Sequence, residues 1–178
     1  MGASSEGDTT AMEVVVVPYN PLWQQVYIGE AIRLSSALGE LLASVHHVGS
    51  TAVPAMCARP VIDILVEVRD MGAVDSYSPA MRGYGYSPSG EAVGEGRRLF
   101  YREDDEGTRT HVILVFQQGD PEVRRQVLFR DYLAGHPEDA EAYCGLKEEL
   151  ARRFPSDPES YDRGKQEFIN RIEERLGT

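Results

Sequence analysis

The segment that most constrains the fold is the run VIDILVEV at residues 61–68, in which aliphatic side chains surround one central carboxylate. Its β-branched residues, and Pro60 directly before it, predict a strand. Because side chains alternate between the faces of a strand, one face is wholly apolar and Asp63 lies on the opposite face. A carboxylate is costly to bury unless a metal ion, a cation or hydrogen bonds meet it. Asp63 is therefore a candidate functional residue, with a structural ion pair as the alternative.

The second informative segment is HHVGSTAVP at residues 46–54, where a short strand ends in Gly49 and Ser50 and is followed by Thr51. Such a turn can open a helix whose free backbone N–H groups and hydroxyl hold a phosphate group. The alternative is that Ser50 only caps a helix and that Gly49 only makes a tight turn.

The remaining pattern predicts an α+β fold. Spacings of three and four over residues 22–42 predict a first long helix, and RRLFYRE and HVILVF predict two more strands. A Gly-rich stretch at residues 83–96 indicates a loop. Three further helices are indicated by the starts Asp120-Pro121-Glu122, His136-Pro137-Glu138 and Asp157-Pro158-Glu159.

At 178 residues the chain fits one domain, which we place at residues 13–178 after a flexible tail at residues 1–12. No apolar run approaches the roughly 18 residues of a membrane span, and the N-terminus lacks the features of a signal peptide. We therefore expect a cytoplasmic protein that does not bind membranes. Cys57 and Cys144 are too few and too far apart to indicate a disulfide framework, so reduced thiols are expected.

The net charge of −11, from 29 acidic and 18 basic residues, argues against sequence-independent binding to duplex nucleic acid. A small phosphorylated ligand remains possible, because a local cluster of arginines and a metal ion can outweigh the global field at contact distance. The oligomeric state is not indicated by the sequence.

Six segments, in order along the chain, resemble the GrpB family of the nucleotidyltransferase superfamily. The resemblance runs from about Val14 to Ile172 and is carried by VVPYNPLW, HVGSTAVP, RPVIDILV, RTHVILVF, FRDYLAGHPEDAEAYCGLKEELARRFP and YDRGKQEFI. It implies a minimal nucleotidyltransferase fold, in which a small mixed β-sheet is flanked by helices and followed by a C-terminal helical segment.

The resemblance also implies a site. In that superfamily the Gly-Ser turn, here Gly49 and Ser50 with Thr51 next to them, contacts nucleotide phosphates. Carboxylates on the following strand bind Mg²⁺, and Asp63 matches the first of them. Two bridged metal ions would neutralise phosphate charge and activate an attacking hydroxyl group.

The chain departs from the family pattern at several positions. A second carboxylate would stand at position 65, about 6.6 Å along the strand, but this chain has Leu65 there. Glu67 is about 13 Å away and reads as an exposed acid at the strand end. His111 is the one histidine left of a His-His-Leu-His pattern. Ala55 replaces a usual Gly, and Arg59 replaces a usual Lys.

Other cations admit two interpretations. Arg98 and Arg102 share one strand face. In one interpretation they form a phosphate clamp with Arg59, and in the other they are simply solvated. Lys165 lies on an apolar helix stripe, where its amine faces a ligand or its stem covers apolar surface. Arg130 and Asp131 favour a structural ion pair.

Two functional hypotheses follow. In the first, a groove around Gly49, Ser50, Arg59, Asp63 and His111 belongs to a Mg²⁺-dependent transferase that acts on a nucleotide or another small phosphorylated compound. Asp63 and His111 are its candidate catalytic residues. In the second, the missing carboxylate and histidines leave a non-catalytic binding module, or a pocket diverted to other chemistry.

Overall fold

The computed structural model describes residues 13–90, 94 and 96–177. The expected tail at residues 1–12 and part of the Gly-rich loop lie outside the described residues. The predicted α+β class is confirmed, because one mixed sheet is combined with helices before and after it. The elements are α1 Leu22–Leu38, β1 Leu42–Val48, β2 Ile62–Val68, α2 Ser78–Gly83, β3 Ser87–Pro88, β4 Arg98–Glu103, β5 Arg109–Gln117, α3 Pro121–Gly135, α4 Pro137–Arg153 and α5 Pro158–Leu176.

The five strands follow the order β1-β2-β5-β4-β3, so β2, which carries Asp63, is an interior strand between β1 and the central β5. β2 and β5 are parallel, while the other neighbouring pairs are antiparallel. The register pairs Ile62 with His111 and Asp63 with Val112. Because paired residues point to the same side of a sheet, this register decides which side chains share a face with Asp63.

The two faces of the sheet differ in their covering. The face that carries Ile64, Val66 and Ile113, here called the α1 face, packs against α1 and forms the larger apolar core. The opposite face, here called the Asp63 face, places Leu65 and Phe116 in a smaller apolar cluster at one end. Its other end opens toward α4 and α5.

The predicted starts of the three C-terminal helices are confirmed at Pro121, Pro137 and Pro158. Asp120 and Asp157 accept hydrogen bonds from backbone N–H groups in the first turns of α3 and α5, which stabilises those helix ends. No helix within residues 13–90 or 96–177 is both long and apolar enough to cross a membrane.

The expectation of reduced thiols is wrong, because Cys57 and Cys144 form a disulfide. Their Cα atoms lie 5.6 Å apart although 87 positions separate them in sequence, and this distance suits a disulfide. Sequence spacing could not show that the segment before β2 folds against α4. The disulfide fixes that segment to α4 beside the open end of the Asp63 face.

Candidate functional site

A cavity of about 500 Å³ opens at the end of the Asp63 face, between the sheet and helices α4 and α5. Four cationic side chains and two carboxylates line it, in a chain whose net charge is −11. Its polar and charged lining residues are Ser50, Arg59, Asp63, Arg109, Lys147, Tyr161, Asp162 and Lys165. Positive charge is therefore concentrated in this cavity, against the sign of the whole protein.

Asp63 is partly buried in this cavity, near the start of the interior strand β2. Burial raises its pKa to about 6, although Arg59 and Lys165 oppose the shift, and the charge of Asp162 adds to it. Near neutral pH the carboxylate is thus held ionised at a cost in free energy, which a bound cation would reduce.

The Gly49 turn approaches the Asp63 carboxylate closely. A Cβ atom placed on Gly49 would lie 2.5 Å from Asp63 Oδ2 and 3.3 Å from Asp63 Cβ, so the Asp63 side chain would have to move. Gly49 also has φ +72° and ψ −174°, a combination that only glycine adopts readily. The glycine is therefore required for both its backbone conformation and its contact with Asp63.

Ser50 meets a buried lysine at the inner wall of the cavity. Lys147 Nζ lies 2.7 Å from Ser50 Oγ and also donates to the backbone carbonyl of Cys57. Only 2% of Lys147 is exposed. Burial and the nearby charge of Lys165 together lower the pKa of Lys147 to about 7, although Glu148 acts in the opposite direction.

Helix α5 supplies the other wall of the cavity. Lys165 Nζ lies 2.7 Å from Asp162 Oδ1 and 4.5 Å from the ring centroid of Tyr161. The guanidinium of Arg59 lies 5.9 Å from the same ring. Both cations thus lie within about 6 Å of the Tyr161 ring, a contact worth roughly 0.5–1 kcal/mol at exposed sites.

The structure brings Ser50, Arg59, Asp63 and Lys165 together, and Gly49 contacts Asp63. Thr51 does not line this cavity, because it is buried and its hydroxyl lies 2.9 Å from His47 Nε2.

The expected positions of His111, Arg98 and Arg102 are wrong. The register of β5 against β2 and β4 places all three on the α1 face, on the far side of the sheet from Asp63. His111 Nε2 is buried without a hydrogen-bond partner, 3.9 Å from Glu30 Oε1. Arg102 donates to Glu30 at 2.7 Å, and Arg98 makes a bidentate pair with exposed Asp75. No clamp with Arg59 is formed.

The position of the missing carboxylate lies inside an apolar cluster. Leu65 is 1% exposed and packs with Val48, Phe116 and Val123. Glu67 lies at the strand end as expected, but it is partly buried rather than exposed. It accepts hydrogen bonds from Ser44 and from the backbone N–H of Gly119. Neither position supplies a second carboxylate to the cavity.

Three charged residues of the cavity were not identified from the sequence: Arg109, Lys147 and Asp162. Lys147 had a detectable signal, since it falls four residues after Tyr143 and three before Leu150, on the core-facing stripe of α4. A lysine at such a position predicts a buried amine. The approach of Asp162 and Arg109 depends on how α5 and β5 are placed, and we find no sequence signal for it.

Oxygen donors of the kind that Mg²⁺ prefers are present in the cavity. Asp63 offers a carboxylate from the sheet and Asp162 offers a second one from α5. Mg²⁺ in nucleotide enzymes uses one or two carboxylates together with water and substrate phosphates. This set fits a single Mg²⁺ shared with a phosphate group, rather than two ions bridged by carboxylates of one strand.

The fold belongs to the nucleotidyltransferase class. A crystal structure of Cid1 poly(U) polymerase bound to MgATP aligns with a TM-score of 0.55 at 10% identity, over 76% of this chain and 44% of that chain. At this identity the likeness shows the fold alone. A crystal structure of conserved protein GrpB from Enterococcus faecalis aligns with a TM-score of 0.83 at 34% identity, over 90% of this chain and 96% of that chain.

The family model described as GrpB protein matches residues 13–175, so the chain belongs to the GrpB family. UPF0157 protein YqkA from Bacillus subtilis is 40% identical over 91% of this chain and 47% of its own length. UPF0157 protein PA4798 from Pseudomonas aeruginosa is 37% identical over 89% of this chain and 66% of its own length. The chain thus spans about half of the first relative and about two thirds of the second.

Proposed function

We propose that the protein binds a nucleotide or another small phosphorylated compound together with Mg²⁺ in the cavity, and that it transfers a nucleotidyl group. The observation that carries the proposal is the concentration of four cationic side chains around Asp63 and Ser50, in a protein of net charge −11. Surface charge alone would repel such a ligand. Only a local cluster at contact distance can select it.

The ligand phosphates are the natural partners of the cationic walls. Arg59 and Lys165 flank the open cavity, while Lys147 lies deeper beside Ser50. Arginine offers a planar fork for two phosphate oxygens, whereas lysine offers a compact point charge. Together these groups would orient the phosphate chain across the end of β2 and hold the charge that develops on a leaving phosphate.

Asp63 and Asp162 would hold the Mg²⁺. When bound, the ion would neutralise phosphate charge and polarise the phosphoryl oxygens as a Lewis acid. The Asp63 carboxylate must be ionised to bind it, and its pKa is raised to about 6. Ligand affinity should therefore fall as the pH drops below about 6, because protonation of Asp63 competes with the cation.

The Cid1 structures support this reading at the level of the fold, since that polymerase is seen bound to MgATP. The Gly49 turn also lies directly beside Asp63 on β2, which supports the phosphate and metal contacts that the GrpB resemblance implies. Transfer to an acceptor requires a base and an acceptor site in addition.

Burial of Leu65 favours a second candidate function. Because position 65 packs in an apolar cluster, the Asp63 strand supplies one metal ligand to the cavity rather than a pair. A module that binds a phosphorylated compound without transferring a group needs only one. This candidate predicts the same binding but no turnover of the bound nucleotide.

Calorimetric titration of ATP with and without Mg²⁺ tests the proposal. We expect Mg²⁺-dependent binding that Asp63→Asn weakens at least tenfold, because the substitution removes the anionic metal ligand. Asp105→Asn, at an exposed acid away from the cavity lining, is the matched control and should bind as the wild type does.

A thermal-unfolding series extends the test to other nucleotides and to coenzyme A. A ligand present at 100 times its Kd should add about 2.7 kcal/mol of stability. Equal affinity of ATP for the wild type and Asp63→Asn would refute the proposed site. Binding without release of pyrophosphate in the presence of acceptor candidates would favour the non-catalytic module.

A further inference from the structure

We infer that Ser50 and Lys147 form a nucleophile and general-base pair, and that Ser50 attacks the phosphorus atom of a phosphoanhydride ligand to give a covalent phosphoester on the protein. The pair itself stands on geometry. The choice of a phosphorus electrophile rests on the proposed function. The inference adds a covalent intermediate, whereas the proposed function treats Ser50 only as a phosphate contact.

The hydrogen-bond geometry suits a base beside a hydroxyl group. Lys147 Nζ lies 2.7 Å from Ser50 Oγ, within the range for a nucleophile and its base. The same nitrogen donates to the carbonyl of Cys57. As an ammonium group Lys147 donates to Ser50 Oγ. Once neutral, the amine can keep one N–H on the Cys57 carbonyl and turn its lone pair to the Ser50 hydroxyl, so it can receive the hydroxyl proton.

The surroundings of Lys147 favour the neutral amine. Lys147 is 2% exposed, and no carboxylate is among its hydrogen-bond partners above. Its pKa is lowered to about 7, which leaves a large neutral fraction near neutral pH. On its own helix, Lys147 has Glu148 and Tyr143 as charged or titratable neighbours. The charged or titratable groups that face it across the cavity are Tyr161, Asp162 and Lys165 of α5, Arg59 of the loop before β2, Asp63 of β2 and Arg109 of β5.

Both members of the pair are held in place. Ser50 begins a 3₁₀ turn in which the N–H of Val53 donates to the Ser50 carbonyl at 3.2 Å. Lys147 projects from α4, and the disulfide between Cys57 and Cys144 fixes α4 to the segment whose carbonyl accepts from Lys147. Ser50 lines the cavity, so its hydroxyl is accessible to a ligand.

The Ser50 O–H bond breaks and its proton moves to Lys147 Nζ, which becomes an ammonium group. An Oγ–P bond forms while the bond between phosphorus and the bridging oxygen of the anhydride breaks. The electron pair leaves with the departing phosphate or pyrophosphate, whose charge Arg59 and Lys165 are placed to receive.

Labelling with diisopropyl fluorophosphate tests the pair without assuming the natural ligand. Attack by Ser50 Oγ forms an O–P bond and releases fluoride, and the adduct is located by peptide mass spectrometry. We expect a single adduct on Ser50. Its formation rate should rise with pH through about 7 and then level off, as Lys147 loses its proton.

Substitutions distinguish a Lys147 that acts as a general base from a Lys147 that only supplies positive charge. Ser50→Ala should abolish the adduct, and Lys147→Arg should slow labelling about 100-fold or more, because arginine keeps the charge but cannot accept the proton. Ser36→Ala is the matched control, since the exposed Ser36 hydroxyl donates only to the carbonyl of Ile32 in its own helix. Thermal unfolding checks that each variant folds.

The outcomes distinguish the two proposals. Absence of a Ser50 adduct in the wild type, or a labelling rate that is independent of pH between 6 and 9, overturns the pair even if the Lys147 variants do not fold. Protection from labelling by ATP and Mg²⁺ supports both proposals. Labelling without protection, together with no ATP binding in calorimetry, keeps the pair and rejects the nucleotide. Binding of ATP without labelling of Ser50 rejects the pair and keeps the proposed nucleotide site.

Discussion

The two faces of the sheet each carry charged side chains that are shielded from water, but they satisfy them in different ways. On the α1 face, Glu30 is 4% exposed, accepts from Tyr86 and from Arg102, and lies 3.6 Å from Arg33. On the Asp63 face, Asp63 and Lys147 are held against an open cavity. The Glu30 network is satisfied within the protein, whereas Asp63 and Lys147 line a space that a ligand can occupy, although Lys147 also has two protein partners.

The comparison teaches which buried charges indicate function. A buried carboxylate that is fully paired with cations belongs to the structure of the folded protein. Its removal by mutation is destabilising, because the cations are left buried without a compensating charge. A carboxylate whose pKa is raised beside a cavity instead costs free energy in the absence of a ligand. The α1 face should therefore behave as structure under mutation and the Asp63 face as a site.

The largest effect is expected for Glu30→Ala on the α1 face. Loss of the carboxylate leaves Arg102 and the hydroxyl of Tyr86 without their buried partner, at a cost of about 3–5 kcal/mol in the free energy of unfolding. Urea unfolding at pH 7 measures it, and Glu40→Ala at an exposed acid is the control. A loss below about 1 kcal/mol would contradict the structural role of the network.

Gly49→Ala should destabilise the protein by about 3 kcal/mol. The backbone conformation alone accounts for about 1–3 kcal/mol, and the new Cβ atom would collide with Asp63. Gly29→Ala is the matched control, because that glycine lies in α1 with open space around it and the change should stabilise by up to about 1 kcal/mol. Equal effects of the two substitutions would remove the argument for a close contact at Asp63.

Asp63→Asn should instead stabilise the protein. We expect the free energy of unfolding to rise by on the order of 2 kcal/mol at pH 7 in the absence of ligand. The pKa of Asp63 is raised from 3.8 to about 6 in the folded state. The folded protein thus binds a proton that the unfolded chain has lost, and wild-type stability falls as pH rises from about 4 to 6. The substitution removes this fall, as chemical unfolding at pH 4, 5, 6 and 7 would show. A loss of stability at pH 7 would show that Asp63, like Glu30, stabilises the folded protein in the absence of ligand, and would contradict its assignment to a ligand site.

The smallest effect is expected at Ala55, which has φ +62° in the exposed loop that follows the Gly49 turn. An alanine in this region costs about 1–2 kcal/mol relative to a relaxed backbone, whereas glycine adopts it freely. Ala55→Gly should therefore stabilise by about 1 kcal/mol at most, since the unfolded chain also gains entropy. Differential scanning calorimetry measures the shift, and a loss of stability would show that the loop does not hold this conformation.

Much of the fold follows from local pattern. The alternation in VIDILVEV places Asp63 opposite the apolar face of β2, and the Asp-Pro-Glu segments at residues 120–122 and 157–159 set the starts of α3 and α5. These features depend on the period of one element and on capping groups a few residues apart. The position of Lys165 in the cavity also agrees with its place on the apolar stripe of α5.

The candidate site depended on contacts between elements that are distant in sequence. HVILVF is apolar on both sides, so its pattern does not tell which face His111 occupies, and only the pairing with Ile62 decides it. The pairing of β4 with β5, which sets Arg102 beside His111, likewise carries Arg102 to Glu30.

By itself, then, the sequence determined the class of fold, the turn at Gly49 and the side of β2 that carries Asp63, because these depend on short-range periodicity and backbone conformation. Tertiary structure alone decided that His111 lies across the sheet from Asp63, that Lys147 meets Ser50 and that Cys57 reaches Cys144. Strand register and helix placement are set by packing across the whole core, and no local pattern specifies them.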